Sequence, residues 1–101
     1  MAKCRITVLR TMLNQDIIDR YTVPELNLGV CSRLKEGQKF IVEHPLAKPE
    51  GFCDWAWTDI KRDVTVTAFG GNFPWLKNEG TMITSCTDGL RPVVFLLERI
   101  A

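Results

Sequence analysis

Four cysteines and a single histidine are the residues of this sequence best suited to chemistry at a thiol or a metal ion. Cys53 lies in the stretch GFCDWAWTDI, between aromatic side chains. If a helix begins at Phe52 or Cys53, this thiol lies in the first turn, where free backbone N–H groups and the helix dipole favour a thiolate. The neighbouring Asp54 and the water-excluding aromatic residues oppose that effect. The alternative interpretation is that Cys53 is a small residue of the core.

Cys86 precedes the turn sequence TDG and is the second candidate thiol. A two-residue loop at Asp88 and Gly89 would place Cys86 opposite Arg91, whose guanidinium can stabilise a thiolate or bind an anionic ligand. That register also puts Pro92 at a hydrogen-bonded position where proline has no N–H to donate, so a longer loop with looser pairing stays open. The alternative for Arg91 is a solvated turn residue.

A metal site is another use of the same thiols, with Cys31, Cys53, Cys86 and His44 as the candidate ligands. The spacing does not favour it, because the chain has no C-x-x-C pair and structural zinc sites usually bring their ligands in close pairs. Cys4 is predicted in the core, on the apolar face of the first strand. The sequence has neither a G-x-G-x-x-G fingerprint nor a Walker lysine, so no nucleotide-binding motif is present and no cofactor is identified.

Aromatic residues are concentrated between Phe52 and Trp75. On a helix, Trp55 and Trp57 lie about 200° apart, so one of them must meet solvent, a ligand or another subunit. The alternative is that the loop NFPW folds back over the second tryptophan. We expect a pocket with Cys53 and Cys86 as catalytic thiols and these residues as ligand-binding side chains: Trp55, Asn72, Phe73, Trp75, Asp88 and Arg91.

The elements that must position these residues follow from hydrophobic periodicity. Residues 4–10 alternate as a half-buried strand, and KFIVEH reads as a second strand after the turn at Gly37. A short helix is predicted over residues 15–21, capped by Asn14, with Ile17, Ile18 and Tyr21 turned inward.

The main helix is predicted from Phe52, because Phe52, Ala56, Ile60 and Val64 recur every fourth residue. The helix is predicted to span about 12 to 17 residues and to end before Gly70 and Gly71. The alternative is an earlier end near Val64, because the β-branched run VTVTAF favours a strand. The runs TMITSC and VVFLLERI then predict a hairpin whose second strand, apolar on both faces, lies centrally in the sheet. The order predicts one α+β domain over residues 1–101: a mainly antiparallel sheet of about four strands against one main helix and a short helix.

Composition restricts the partners. The net charge is +1 and no basic run stands out, so we expect no nucleic-acid binding. No apolar run is long enough to span a bilayer and the first residues lack a signal-peptide pattern, so we expect no membrane association and a cytoplasmic location. Cytoplasmic thiols are kept mostly reduced.

Three segments, EGFCDWAW, AFGGNFPW and CTDGLRPVVF, resemble the motifs of a family of small bacterial and archaeal proteins of unknown function. Members are about as long as this chain, and the resemblance extends to KCRITVL and EGQKFIVE. It implies no activity, substrate or cofactor. The leading hypothesis from the residues is therefore thiol-based chemistry on a small anionic ligand. The alternative is a non-catalytic homo-oligomeric assembly module with inert core cysteines.

Overall fold

Two helices and four strands follow one another along residues 3–43 and 47–100, the parts of the chain that the computed structural model describes. In chain order they are β1 (Lys3–Thr11), α1 (Gln15–Tyr21), β2 (Lys39–Val42), α2 (Asp54–Ala68), β3 (Thr81–Ser85) and β4 (Val93–Ile100). All strand pairs are antiparallel, in the order β2-β1-β4-β3. The predicted α+β fold is confirmed, including the central place of the last strand.

The core lies between one face of this sheet and α2. Alternation along β1 buries Cys4, Ile6 and Val8 on that face, and the register sets Ile6 opposite Leu97 of β4. A bulge between Val8 and Arg10 shifts the pairing near the end of β1. Cys4 is fully buried, as predicted for a small apolar residue of the core.

Helix α2 forms because its apolar residues recur on one side. Ala56, Ile60 and Val64 are buried within the helix, and Phe52 is fully buried just before it, since α2 begins at Asp54 and not at the predicted Phe52. Burying one such aliphatic side chain contributes about 1.5–3 kcal/mol. The predicted end before Gly70 is confirmed, and the alternative end near Val64 is wrong. The helix continues to Ala68 because the buried stripe continues, and its packing against the sheet overrides the strand preference of the β-branched residues.

A glycine pair ends α2. Gly70 has φ of 98°, and its N–H donates to the carbonyl of Thr67 at 3.3 Å, while the N–H of Gly71 donates to the carbonyl of Val66 at 2.8 Å. These two bonds form a Schellman cap. The guanidinium of Arg99 donates to the carbonyl of Thr67 in the last turn of the helix and to the carbonyl of Gly71 just beyond it, each at 2.9 Å, and so ties the cap to β4.

Helix α1 matches its predicted bounds, but its packing differs from the prediction. Only Ile18 is buried, whereas Ile17 is 40% and Tyr21 72% exposed. The reason is that α1 packs along no strand or other helix of the described chain. Asn14 holds the N-cap position without a side-chain cap, and its Nδ2 donates instead to the carbonyl of Gly89 at 2.7 Å. Neither helix within the described ranges is long and apolar enough to cross a membrane.

Candidate functional site

A cavity of about 480 Å³ opens where the start of α2 meets the β3–β4 loop. Three separate segments each bring one free cysteine to it: Cys31 from the loop before β2, Cys53 from the start of α2, and Cys86 from the end of β3. All three thiols are partly buried against the core. The other lining residues are Arg33, Leu34, Trp55, Ala56, Thr87, Asp88, Gly89, Arg91 and Val93.

Cys53 occupies the N-cap position of α2, one residue before the first turn. Its side chain makes no capping hydrogen bond, and its carbonyl accepts from the N–H of Trp57 at 2.9 Å. Asp54, expected to oppose a thiolate, is paired with Lys48 at 2.7 Å. The hydrogen bond and charge of Lys48 lower the pKa of Asp54, and Arg33 adds to the effect. The carboxylate beside Cys53 is therefore partly neutralised by a bonded ammonium group.

Cys86 lies opposite Val93, so of the two loops that the sequence left open the longer one is present and the two-residue loop is not. The N–H of Cys86 donates to the carbonyl of Val93 at 3.0 Å, and the register continues with Ser85 opposite Val94. The longer loop thus spans residues 87–92 and keeps Pro92 out of the strand ladder. The N–H of Val93 donates to Sγ of Cys86 at 3.3 Å, so this sulfur has a fixed polar partner.

Asp88 organises the loop and orients Arg91. Its Oδ1 accepts from the N–H groups of Leu90 and Arg91 at 3.0 and 3.2 Å, and its Oδ2 accepts from Nε of Arg91 at 3.1 Å. Desolvation alone would raise the pKa of Asp88, but the backbone N–H groups and the guanidinium together hold it below its usual value. Arg91 does not pair with Cys86 in the ladder, yet both side chains line the same cavity.

Thr87 ties the loop to helix α2. The indole N–H of Trp55 donates to Oγ1 of Thr87 at 3.0 Å, and the Thr87 hydroxyl donates to the carboxylate of Asp59 at 3.0 and 3.1 Å. The N–H of Thr87 also donates to Asp59 at 2.8 Å. On the other side, Asn14 bonds the carbonyl of Gly89. The wall of the cavity is thus a loop bonded to both helical segments.

Comparisons with protein-family models, with curated proteins and with solved structures found no match for this chain. The family resemblance drawn from the sequence motifs stays a prediction.

Trp55 and Trp57 differ as helix geometry predicts: Trp55 is 67% exposed and Trp57 only 9%. The ring of Trp57 packs edge-on against Phe52, with centroids 6.3 Å apart. The alternative in which the loop NFPW covers the second tryptophan is wrong. That loop follows the C-terminal end of α2, whereas Trp55 lies at the N-terminal end, a helix of 15 residues away.

The same separation removes three predicted ligand-binding residues from the cavity. Fifteen residues of helix span about 22 Å, so Asn72, Phe73 and Trp75 lie beyond reach of Cys53 and do not line the cavity. Oδ1 of Asn72 instead accepts from Nη2 of Arg99 at 2.9 Å. Phe73 and Trp75 contact each other, with ring centroids 5.2 Å apart. The aromatic wall therefore reduces to Trp55.

Arg33, Asp59 and Thr87 are candidate site residues that sequence reasoning missed. Arg33 lies in the long loop before β2, where no periodicity ranks one residue above another; only the proximity of Cys31 was a signal. Leu34 is only 2% exposed, and its packing in the core holds that loop in place. Asp59 follows Trp55 by one helical turn, a spacing that puts both on one side of α2.

The described residues contain no group of three or more His, Cys, Asp or Glu side chains that could hold a metal ion. Cys31, Cys53 and Cys86 line one cavity but do not converge as a ligand set. His44, the fourth candidate ligand, lies outside the described residues.

Proposed function

We propose that the cavity is a small-ligand site in which the Cys53 and Cys86 thiols do covalent or redox chemistry. The observation that supports this most is the convergence of three free thiols from three separate segments on one cavity. A core role alone would bury them, as it does Cys4, whereas these three remain partly exposed. A cytoplasmic location, which we also propose, would keep them reduced.

Two guanidinium groups favour an anionic ligand. Arg33 and Arg91 both line the cavity, and the acid among the lining residues, Asp88, is already bonded to Arg91. The apolar surfaces of Leu34, Val93 and the Trp55 ring favour an organic ligand over a simple ion. A small organic acid with a thiol-reactive group combines these features.

The test compares the reaction rates of the Cys53 and Cys86 thiols with that of the Cys4 thiol in the same protein. Cys4 is the internal control, because burial raises the pKa of its thiol to about 11. We expect a neutral alkylating reagent at pH 8 to modify Cys53 and Cys86 in the folded protein well before Cys4, as read by peptide mass spectrometry. Cys53→Ser and Cys86→Ser should each remove one fast site and leave the other. If both thiols react no faster than Cys4, the proposal fails.

A second candidate, the homo-oligomeric assembly module, is favoured by exposed aromatic side chains away from the cavity. Phe69 is 61% and Trp75 69% exposed near the C-terminal end of α2, and aromatic residues are enriched at protein interfaces. Sedimentation equilibrium of the wild type and of Trp75→Ser tests it. An oligomer that the substitution dissociates supports this candidate, and a wild-type monomer at micromolar concentration refutes it.

A further inference from the structure

The guanidinium of Arg91 is held at one edge and free at the other. Its Nε donates to Asp88 at 3.1 Å, and within the described residues its two terminal amino groups make no hydrogen bond. Because the Asp88 carboxylate also accepts two backbone N–H groups, the pair is fixed to the loop. The free fork is therefore pre-oriented in the cavity, the arrangement in which arginine binds a carboxylate through two parallel hydrogen bonds.

Arg33 gives the cavity a second positive side chain, from the loop before β2. Within the described chain its side chain makes no hydrogen bond or ion pair, and its charge is felt at Asp54 beside Cys53. A ligand with two carboxylates can therefore meet one guanidinium from the loop before β2 and one from the β3–β4 loop. The three thiols lie among the lining residues of the same space.

The size and wall of the cavity restrict the reactive group. A volume of about 480 Å³ with Trp55, Leu34 and Val93 in its wall is large enough for an organic molecule and gives it apolar surface to contact, whereas a peroxide would leave most of the cavity unfilled. The structure offers thiols as its nucleophiles there. A disulfide is an organic electrophile with which a thiolate reacts reversibly and with no other co-reactant.

We propose, resting on the function proposed above, that the cavity takes low-molecular-weight disulfides that carry carboxylates. The thiolate of Cys53 or Cys86 attacks one sulfur of the ligand and forms a mixed disulfide. The ligand S–S bond breaks, and its other sulfur leaves with the electron pair as a thiolate. The protein sulfur and one ligand sulfur become the new disulfide, so the exchange is redox-neutral overall and an excess of the ligand thiol reverses it.

The experiment compares two chromogenic disulfides that differ in charge. Dithiobis(nitrobenzoate) carries two carboxylates and dithiodipyridine carries none. Stopped-flow absorbance gives the rate of exchange with each, and the ratio of the two rates cancels changes in the intrinsic reactivity of the thiols. We expect Arg91→Gln and Arg33→Gln each to lower this ratio by about 1.5-fold to fivefold, the range for an exposed ion pair. Arg10→Gln, an exposed arginine of β1 outside the cavity, is the matched control and should leave the ratio unchanged.

A measurement on the unmodified protein covers the case in which a variant misfolds. Raising the ionic strength to about 1 M shortens the Debye length to about 3 Å, so the rate with the carboxylate disulfide should fall while the rate with the neutral one stays constant. Oxidised glutathione, a tripeptide disulfide with carboxylates, should add its half-mass to Cys53 or Cys86 in the intact protein.

The possible failures are distinguishable. If the cavity thiols react with both reagents but the ratio is unaffected by salt and by both arginine substitutions, the substrate class is wrong and the thiol function stands. If Arg10→Gln lowers the ratio as much as Arg91→Gln does, the discrimination belongs to the overall charge and the substrate class is again refuted. If the folded protein reacts with neither reagent at Cys53 or Cys86, the thiol function itself is refuted.

Discussion

Gly71→Ala should destabilise the protein more than any other glycine-to-alanine change in the described chain. A Cβ at this position would lie 2.4 Å from Cγ1 of Val66 and 2.9 Å from its carbonyl oxygen. To relieve the first contact, the Val66 side chain or the Gly71 backbone must move by about 1 Å. The second contact strains the hydrogen bond from the Gly71 N–H to the Val66 carbonyl, which caps α2. Overpacking typically costs about 1–3 kcal/mol and a lost hydrogen bond about 1 kcal/mol. We therefore expect a loss of about 2–4 kcal/mol.

Two other glycines make the measurement specific. Gly70 has φ of 98° and open space around its Cβ position, so Gly70→Ala should cost only the left-handed strain, about 1–2 kcal/mol. Gly29 has neither a positive φ nor a neighbour within 4 Å, and Gly29→Ala should be neutral or stabilise slightly by reducing the entropy of the unfolded chain.

Urea unfolding followed by circular dichroism gives the three free energies. In a domain of this size 1 kcal/mol corresponds to about 4–8 °C in Tm, so Gly71→Ala should lower Tm by about 10 °C or more. Adding Val66→Ala removes the closest contact and should recover part of the loss. A Gly71→Ala protein as stable as Gly29→Ala would refute the cap as the reason for this glycine, and a ligand contact would become its better explanation.

Three further predictions concern single side chains. Arg99→Gln should lose about 1–3 kcal/mol of stability, because the guanidinium donates hydrogen bonds to two carbonyls at the end of α2. The control Arg10→Gln should change stability by less than about 0.5 kcal/mol. The urea midpoints of the two variants test this difference. Thr67→Val should be neutral or stabilising by about 1 kcal/mol, since the Thr67 hydroxyl is fully buried without a hydrogen-bond partner among the described residues. A clear fall in Tm by calorimetry would contradict this and show that the hydroxyl makes a stabilising hydrogen bond. Folding lowers the pKa of Asp88. The contribution of its carboxylate to stability is therefore present above the unfolded pKa of about 3.9 and is lost as the pH falls through the folded pKa. The difference in free energy of unfolding between wild type and Asp88→Asn should thus persist at pH 7 and vanish at low pH.

The fold was predictable because its signals are local. The fourth-residue repeat from Phe52 to Val64 determines α2, and alternation in β1 determines which face of the sheet is buried. The alternative end of α2 near Val64 was wrong for the opposite reason. Local preference at VTVTAF favours a strand, and only packing against β3 and β4 keeps those residues helical.

The sequence predicted two of the cysteines that line the candidate cavity, but not the long-range contacts that build the cavity around them. Cys53, Cys86, Asp88 and Arg91 stand beside turn and cap signals that can be read along the chain. The contacts that build the cavity are long-range: Trp55 and Asp59 bond Thr87 across the fold, and Leu34 anchors the loop that carries Arg33. Proximity along the chain misled the prediction for Phe73 and Trp75, which follow the helix that separates them from Cys53.

The contrast between Cys4 and the three cavity cysteines supports the proposed thiol function. Cysteine in a core is a small apolar residue, and Cys4 shows that condition here with no exposed surface and a pKa of about 11. Cys31, Cys53 and Cys86 pack against the same core, yet each keeps exposed surface in one cavity that also holds two guanidinium groups. An apolar residue of similar size would serve the core equally well at those three positions. A partly exposed thiol beside positive charge is instead the setting in which cysteine reacts, and Cys53→Ser and Cys86→Ser, which preserve size, separate reactivity from packing.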